Sequence, residues 1–428
     1  MNRSYLYNII HLSISFVLIF LSYFVAQTFQ TSSDYAKDGA FAIGIIYIVF
    51  CLSNLALSQY ITQLLGLRIT FIVSSLTYLL FIAANIKYIK WVLYISAFLV
   101  GLGAALLWTA QGAYVAIATN KYEQANNLEP SSRLGFTNGM FFSIYSCSLI
   151  FGNLLASFLF HRKYDEWIIF TVMSAIAGLG SFSLIFLRPV KIPKQTKQTS
   201  ILSSLSILFD IPFLLLIPVM CYLGLSEGFI YGSIPPLIFD KSQKFLIFTI
   251  YGTVNAFSSI IFGKLSDKLV RRLIIYAIGG LSYMIIFVLL LTIWKPPLDQ
   301  NRFEIFVMLV TGLAIGESIF LSQVCSTLAV FYGQTRPTDA FACLRIFQAG
   351  CTAIGFFTQP YVSFRIQIFC LIILLTLSLI TLIYEHYCVI SLDTGKTMIS
   401  MSEANKTKIE IESAIPLTTS SDNKVNDI

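Results

Sequence analysis

Charge is scarce in this chain. Only 11% of its 428 residues are Asp, Glu, Lys or Arg, against 57% hydrophobic, and the mean hydropathy is +0.79. A soluble domain needs a much larger charged surface, so composition excludes that class and points to a multi-spanning membrane protein. Histidine is scarcer still: there are three, none grouped with carboxylates, which leaves no catalytic metal site to propose. The 8 cysteines include no CxxC and no metal-ligand spacing, and they read as small packing residues in apolar runs. G-x-S-x-G, a P-loop, H-E-x-x-H and any nucleophile–base pair are all missing. The residues therefore suggest no enzyme and call for no cofactor. The net charge of +7 is spread over short loops and forms no patch that would suit nucleic acid.

Long apolar runs are what the chain has in abundance, and about 20 such residues cross a bilayer as a helix. Six runs occupy the first half, at Tyr5–Gln27, Phe41–Gln63, Arg68–Ile86, Trp91–Thr119, Gly135–Phe160 and Trp167–Leu187. The first is too long for a signal-peptide core and reads as a span. A basic stretch, RPVKIPKQTKQTSILSSLS, follows from Arg188 to Ser206. Six more runs come at Ile207–Gly232, Phe245–Gly263, Leu273–Trp294, Phe303–Tyr332, Thr338–Tyr361 and Ile366–Ile390. The expected architecture is all-α, with twelve transmembrane helices in two six-helix bundles. Residues 1–187 form the first bundle, 188–206 a cytoplasmic linker, 207–390 the second bundle and 391–428 a polar, disordered tail. Lys and Arg are richer in the loops that share a side with the linker and the tail, so both termini should be cytoplasmic.

The fourth run contains GLGAALLWTAQGAYVA, Gly101 to Ala116, where helical spacing aligns Gly101, Ala105, Trp108 and Gly112 with Gln111 alongside. Small residues let helices approach closely in lipid. Trp108 and Gln111 then either line a cavity or are packed and hydrogen-bonded between helices. An ionisable residue within a span is a functional candidate, because it is costly there and needs a partner. Glu227, Glu317 and Arg345 qualify. Arg345, Gln348, Thr352 and Gln359 share one helical face, as do Tyr251, Asn255 and Ser259, and Glu227 pairs with Tyr231 four residues on. The first half has only neutral polar groups inside its spans, among them Asn54, Gln59, Gln111, Asn138, Tyr145 and Asn153. The expected cavity residues are thus Trp108, Gln111, Glu227, Tyr231, Asn255, Glu317, Arg345 and Gln348. A buried carboxyl that exchanges a proton suits proton-coupled transport; the same acids, paired, could instead fix the bundle.

After the eighth run, GKLSDKLVRR, Gly263 to Arg272, resembles the signature loop of the major facilitator superfamily, with Val270 in place of its usual second glycine. Gly263, Asp267, Arg271 and Arg272 would then form a gating loop; the matching point of the first half, QLLGLRIT, keeps only Gly66 and Arg68. Four further stretches are similar to one family of that superfamily, the uncoordinated-93-like family. They are GLGAALLWTAQGAYVA, RLGFTNGMFFSIYSCSLIFGNLLASF from Arg133, GLAIGESIFLSQ from Gly312 and AFACLRIFQAG from Ala340. The resemblance implies two parallel six-helix repeats around a midplane site. It implies either a secondary transporter of a small solute, with or without proton coupling, or a non-transporting regulatory or trafficking subunit of an ion channel. The lipid bilayer is the partner common to both.

Overall fold

The computed structural model describes residues 4–128, 133–190, 206–265, 269–293, 303–332 and 337–385. Among them no strand occurs, as lipid demands: a spanning segment has no water to satisfy its backbone and must bond within itself. The first half holds α1 (Ser4–Gln30), α2 (Ala36–Ala56), a short α3 (Ser58–Leu65), α4 (Leu67–Ala83), α5 (Lys90–Ala125), α6 (Leu134–His161) and α7 (Glu166–Ser183). The second half holds α8 (Ile211–Gly232), α9 (Lys241–Leu265), α10 (Leu269–Thr292), α11 (Phe303–Tyr332), α12 (Pro337–Thr358) and α13 (Phe364–Glu385). Eleven segments among the described residues are long and apolar enough to cross a membrane, and α4 is a shorter apolar helix.

Local signals explain several boundaries. Asp240 precedes α9 and accepts the Gln243 N–H through Oδ1 at 2.8 Å, a side-chain cap for a helix entering the bundle. Gly66, at φ +76°, separates α3 from α4, a conformation that costs glycine little. The expected second span, Phe41–Gln63, needs correction. Its helix stops at Ala56, and α3 begins at Ser58 as a separate helix of about two turns with Gln63 and Leu64 exposed. No Pro or Gly marks that break, so the apolar run conceals it.

Packing repeats itself between the halves. In the first, α1 packs on α6, and α5 on both α2 and α4; in the second, α8 packs on α12, and α11 on both α9 and α10. Helix by helix, these are equivalent pairs of two parallel repeats. Buried apolar side chains accordingly gather in two clusters. One runs from Ile9 to Val190, joined by Phe245, and the other from Ile207 to Leu382, joined by Ile43. The halves meet along α6 with α9 and α2 with α12. Outside, large apolar side chains such as Trp91, Leu179, Phe182, Leu281 and Ile373 lie exposed, as lipid-facing residues should.

Glycines set the closest approach, that of α8 to α12. A Cβ at Gly224 would overlap the Gln348 carbonyl oxygen, and one at Gly228 would lie 3.0 Å from the Cα of Gly355. That contact places Glu227 directly against the Gln348–Thr352 turn.

In the expected gating loop, Gly263 falls in the last turns of α9 and Arg271 and Arg272 in the first turn of α10, while Asp267 lies outside the described residues. The linker from 191 to 205 and the tail beyond 385 lie outside them too.

Candidate functional site

Glu227 sits in the second half of α8, five residues before its end and nine after Pro218, whose missing N–H loosens the helix ladder in the preceding turns. Its carboxylate gathers donors from both halves. Tyr47 of α2 donates its hydroxyl to Oε1 at 2.8 Å; Gln348 and Thr352 of α12 donate to Oε2 at 3.2 and 3.3 Å. Each end continues. Gln27 of α1 donates through Nε2 to the Tyr47 hydroxyl at 3.4 Å, and Arg345 donates to Gln348 Oε1 at 3.1 Å. The result is a relay, Gln27–Tyr47–Glu227–Gln348–Arg345, crossing from the first half to the second.

Glu317, on α11, stands apart from that relay. Its Oε2 is buried with no hydrogen-bond partner among the described residues. It still lies within electrostatic range of Glu227, and Tyr231 is within range of both acids. Tyr231 packs its ring 5.7 Å from Phe248 and 5.9 Å from Tyr251, whose hydroxyl is buried and unpartnered among the described residues. Asn255, one turn further along α9, is half-buried. No ion pair joins Arg345 to either acid among the described residues; the two pairs present are Lys90–Asp38 and Lys241–Glu166.

The first half supplies a different wall. Trp108 is ringed by Phe16 at 5.7 Å, Phe20 and Tyr145 at 5.4 Å and Phe142 at 6.5 Å, so α5 meets α1 and α6 through aromatic faces. Phe20, which meets both Trp108 and Tyr145, stands two turns before Gln27 on α1, so this wall continues into the relay. Gln111 is 4% exposed, and its Nε2 has no partner among the described residues. The small-residue stripe of α5 meets three different surroundings. Gly101 abuts Val49 and the Ile46 carbonyl of α2, Trp108 meets the rings, and a Cβ at the exposed Gly112 would meet nothing within 4 Å.

Call the end where α1 begins the near end and the opposite one the far end. At the far end the halves are fastened. Thr31 donates to the Tyr231 carbonyl at 2.8 Å, Ser157 and Ser242 exchange hydroxyl-to-carbonyl bonds at 2.8 and 3.0 Å, Phe160 stacks on Phe245 at 5.2 Å, and Lys241 pairs with Glu166. A pocket of about 810 Å³ opens there beside the ion pair, lined by His161, Lys163, Glu166 and Asp240; none of the residues singled out from the sequence lines it. Toward the near end, Gly112 and Gly139 both look onto open space.

The structure thus brings Glu227, Tyr231, Arg345 and Gln348 together, with Glu317 nearby, and sets Trp108 in the facing wall. Thr352, read from the sequence only as sharing a face with Arg345 and Gln348, proves to donate to Glu227 directly. Sequence reasoning missed Tyr47 and Gln27. A tyrosine among 22 and a glutamine near a helix end carry no sign of which neighbour they face. The side chains of Gln59 and Asn138 lie outside the described residues.

Comparison with known proteins adds the following. A family profile described as ion channel regulatory protein UNC-93 matches residues 30–383. UNC93-like protein 3 of Arabidopsis thaliana is 26% identical over 386 residues, covering 85% of this chain and 82% of that protein. Protein unc-93 homolog A of Homo sapiens is 23% identical over 437 residues, covering 89% and 93%. Among solved structures, a POT family transporter in complex with a thioalcohol-conjugated peptide aligns with a TM-score of 0.63, covering 90% of this chain and 96% of that one; at 11% identity the likeness is one of fold.

Proposed function

The chain belongs to the UNC-93 family, and from that premise we propose that it is a secondary transporter which moves a small solute by alternating access, coupled to a proton at Glu227 and Glu317. Residues 1–187 and 207–390 act as the two rocking halves, joined by a cytoplasmic linker, with both termini on the cytoplasmic side. Gly263, Asp267, Arg271 and Arg272 act at the near-end gate. The observation that carries this reading is the relay through Glu227, since it hydrogen-bonds both halves at mid-depth between a fastened far end and open space beyond Trp108. Both acids stand where only protein or solute can compensate a charge, which is where transporters keep their coupling groups.

The test is flux into proteoliposomes under an imposed pH gradient. Glutamine keeps the shape and hydrogen bonds of a protonated acid but cannot cycle a proton. Glu317→Gln is therefore expected to abolish gradient-driven uptake while sparing solute exchange without a gradient, and Glu227→Gln to weaken both. Full gradient-driven uptake in both variants would make the acids structural.

A second reading is favoured by the description of the matching family, which is that of an ion channel regulator. Here the same fold serves as a subunit that binds a channel through its exposed faces. A wild-type protein that moves nothing in a broad solute screen, yet changes a channel's current on co-expression, would establish it.

A further inference from the structure

We propose that the mid-depth site takes an organic monocation, an ammonium group carried on an aromatic or apolar body. The proposal rests on the transport reading only for the claim that such a solute is moved, and it rests on three features of the site. The first is charge. Glu227, Glu317 and Arg345 converge there, two acids against one base, and Arg345 is engaged with Gln348, not with either carboxylate. With both acids ionised, one carboxylate has no internal counter-ion, and a single positive charge on the ligand balances the set.

The second feature is the set of unused acceptors. Glu227 already accepts from Tyr47, Gln348 and Thr352, whereas Glu317 Oε2 accepts from nothing among the described residues. The Tyr251 hydroxyl, 1% exposed and likewise unpartnered, belongs to a ring 5.9 Å from that of Tyr231, which follows Glu227 by one turn on α8. Buried polar atoms are almost always hydrogen-bonded, so the Glu317 oxygen calls for a donor. An ammonium N–H supplies one, and carries the charge that Glu317 needs.

The third feature is the opposite wall. Trp108, Phe142 and Tyr145 present aromatic surface that is half-buried or exposed, not sealed into the core. Phe20, whose ring lies 5.4 Å from Trp108 and 5.1 Å from Tyr145, stands two helical turns before Gln27 on α1, so the rings run directly into the relay that ends on Glu227. Ring faces attract cations and bury apolar bodies, with indole the strongest of the side-chain rings. A bare inorganic cation would want oxygen ligands on every side, whereas Trp108 and Tyr145 offer ring carbon. An anion would meet two carboxylates.

The test measures binding alone, on the full chain purified in detergent. Three probes separate the features: tryptamine (ring and charge), tryptophol (the same ring and chain, uncharged) and methylammonium (charge without a body). Tryptamine is expected to raise the melting temperature and to give a saturable isotherm by calorimetry. Tryptophol and methylammonium should bind at least tenfold more weakly. Glu317→Gln and, separately, Trp108→Leu should each weaken tryptamine at least tenfold. Should either variant fold poorly, Tyr251→Phe, which removes only a hydroxyl, should weaken tryptamine about threefold. Tryptophol binding as well as tryptamine, methylammonium binding as well as tryptamine, or no saturable tryptamine binding by folded wild type would each overturn the proposal. A protein that binds tryptamine but moves no solute keeps the inference and loses the transport reading. Gradient-driven uptake of an anionic or neutral solute without tryptamine binding does the reverse.

Discussion

Tyr47 is the residue on which the two halves share an atom-to-atom hydrogen bond at the acid itself. Hydrogen bonds between membrane helices average about 0.6 kcal/mol and reach about 1.7, because the separated helices find other partners. Tyr47→Phe should therefore lower the melting temperature only slightly. It leaves Glu227 with two donors in place of three and deprives Gln27 Nε2 of its acceptor. Coupled uptake should fall far more than stability does, and measuring both on one preparation separates the roles. Equal losses would reduce Tyr47 to a packing residue. Glu227, Glu317 and Arg345 were legible from the sequence because a charge inside an apolar run stands out against its neighbours. Tyr47 was not, since tyrosine suits lipid interface, core and site alike.

At the scale of the helix, contact distance is decided by glycine. Gly224→Ala should push α8 off α12, because its new methyl would overlap the Gln348 carbonyl; overpacking of that kind costs about 1–3 kcal/mol. Gly112→Ala, with nothing within 4 Å to receive the methyl, should leave the melting temperature unchanged or raise it, since alanine is the better helix former. Thermal unfolding of the two variants side by side checks the contrast, and a stability loss at Gly112 would show that the space there is needed by a helix. Helix placement itself was largely readable: α11, Phe303–Tyr332, has the bounds its apolar run suggests. The break after Ala56 was not, because apolar residues continue through it and only the path of the backbone reveals it. Which way the α5 stripe faces was equally hidden. Spacing puts Gly101, Trp108 and Gly112 on a common line, but only the neighbours decide that the line runs from α2 to aromatic rings to open space.

For the molecule as a whole, the far-end contacts are individually weak. Lys241 and Glu166 are 44% and 41% exposed, and pairs so wet are worth about 0–1 kcal/mol. Lys241→Gln should leave unfolding almost untouched while favouring separation at that end, read as faster labelling of single cysteines placed beside Ser157 or Ser242. No change in labelling would remove the pair from the gate. Orientation has its own check: the two Asn-x-Ser/Thr sequons, at Asn2 and Asn405, fall outside the described residues and should stay unglycosylated if both termini are cytoplasmic. Endoglycosidase-sensitive sugar on either would reverse the topology. The two-bundle plan was open to sequence reasoning because bilayer thickness fixes run length; the fastening of one end was not, since serine hydroxyls and stacked phenylalanines have no pattern along the chain. The relay has a mechanical consequence. Tyr47 lies midway along the α2–α12 seam, between Gly44, which abuts Phe357, and Cys51, whose Sγ donates to the Ile346 carbonyl at 3.6 Å. In a rigid rotation, displacement grows with distance from the axis. Phe41 and its partner Phe357 lie about 9 Å along the helix from Tyr47 and have a long lever arm. If the proposed rocking turns about an axis through the seam near Tyr47, that residue is displaced least and Glu227 keeps its partners, as an axle stays seated while the wheel swings.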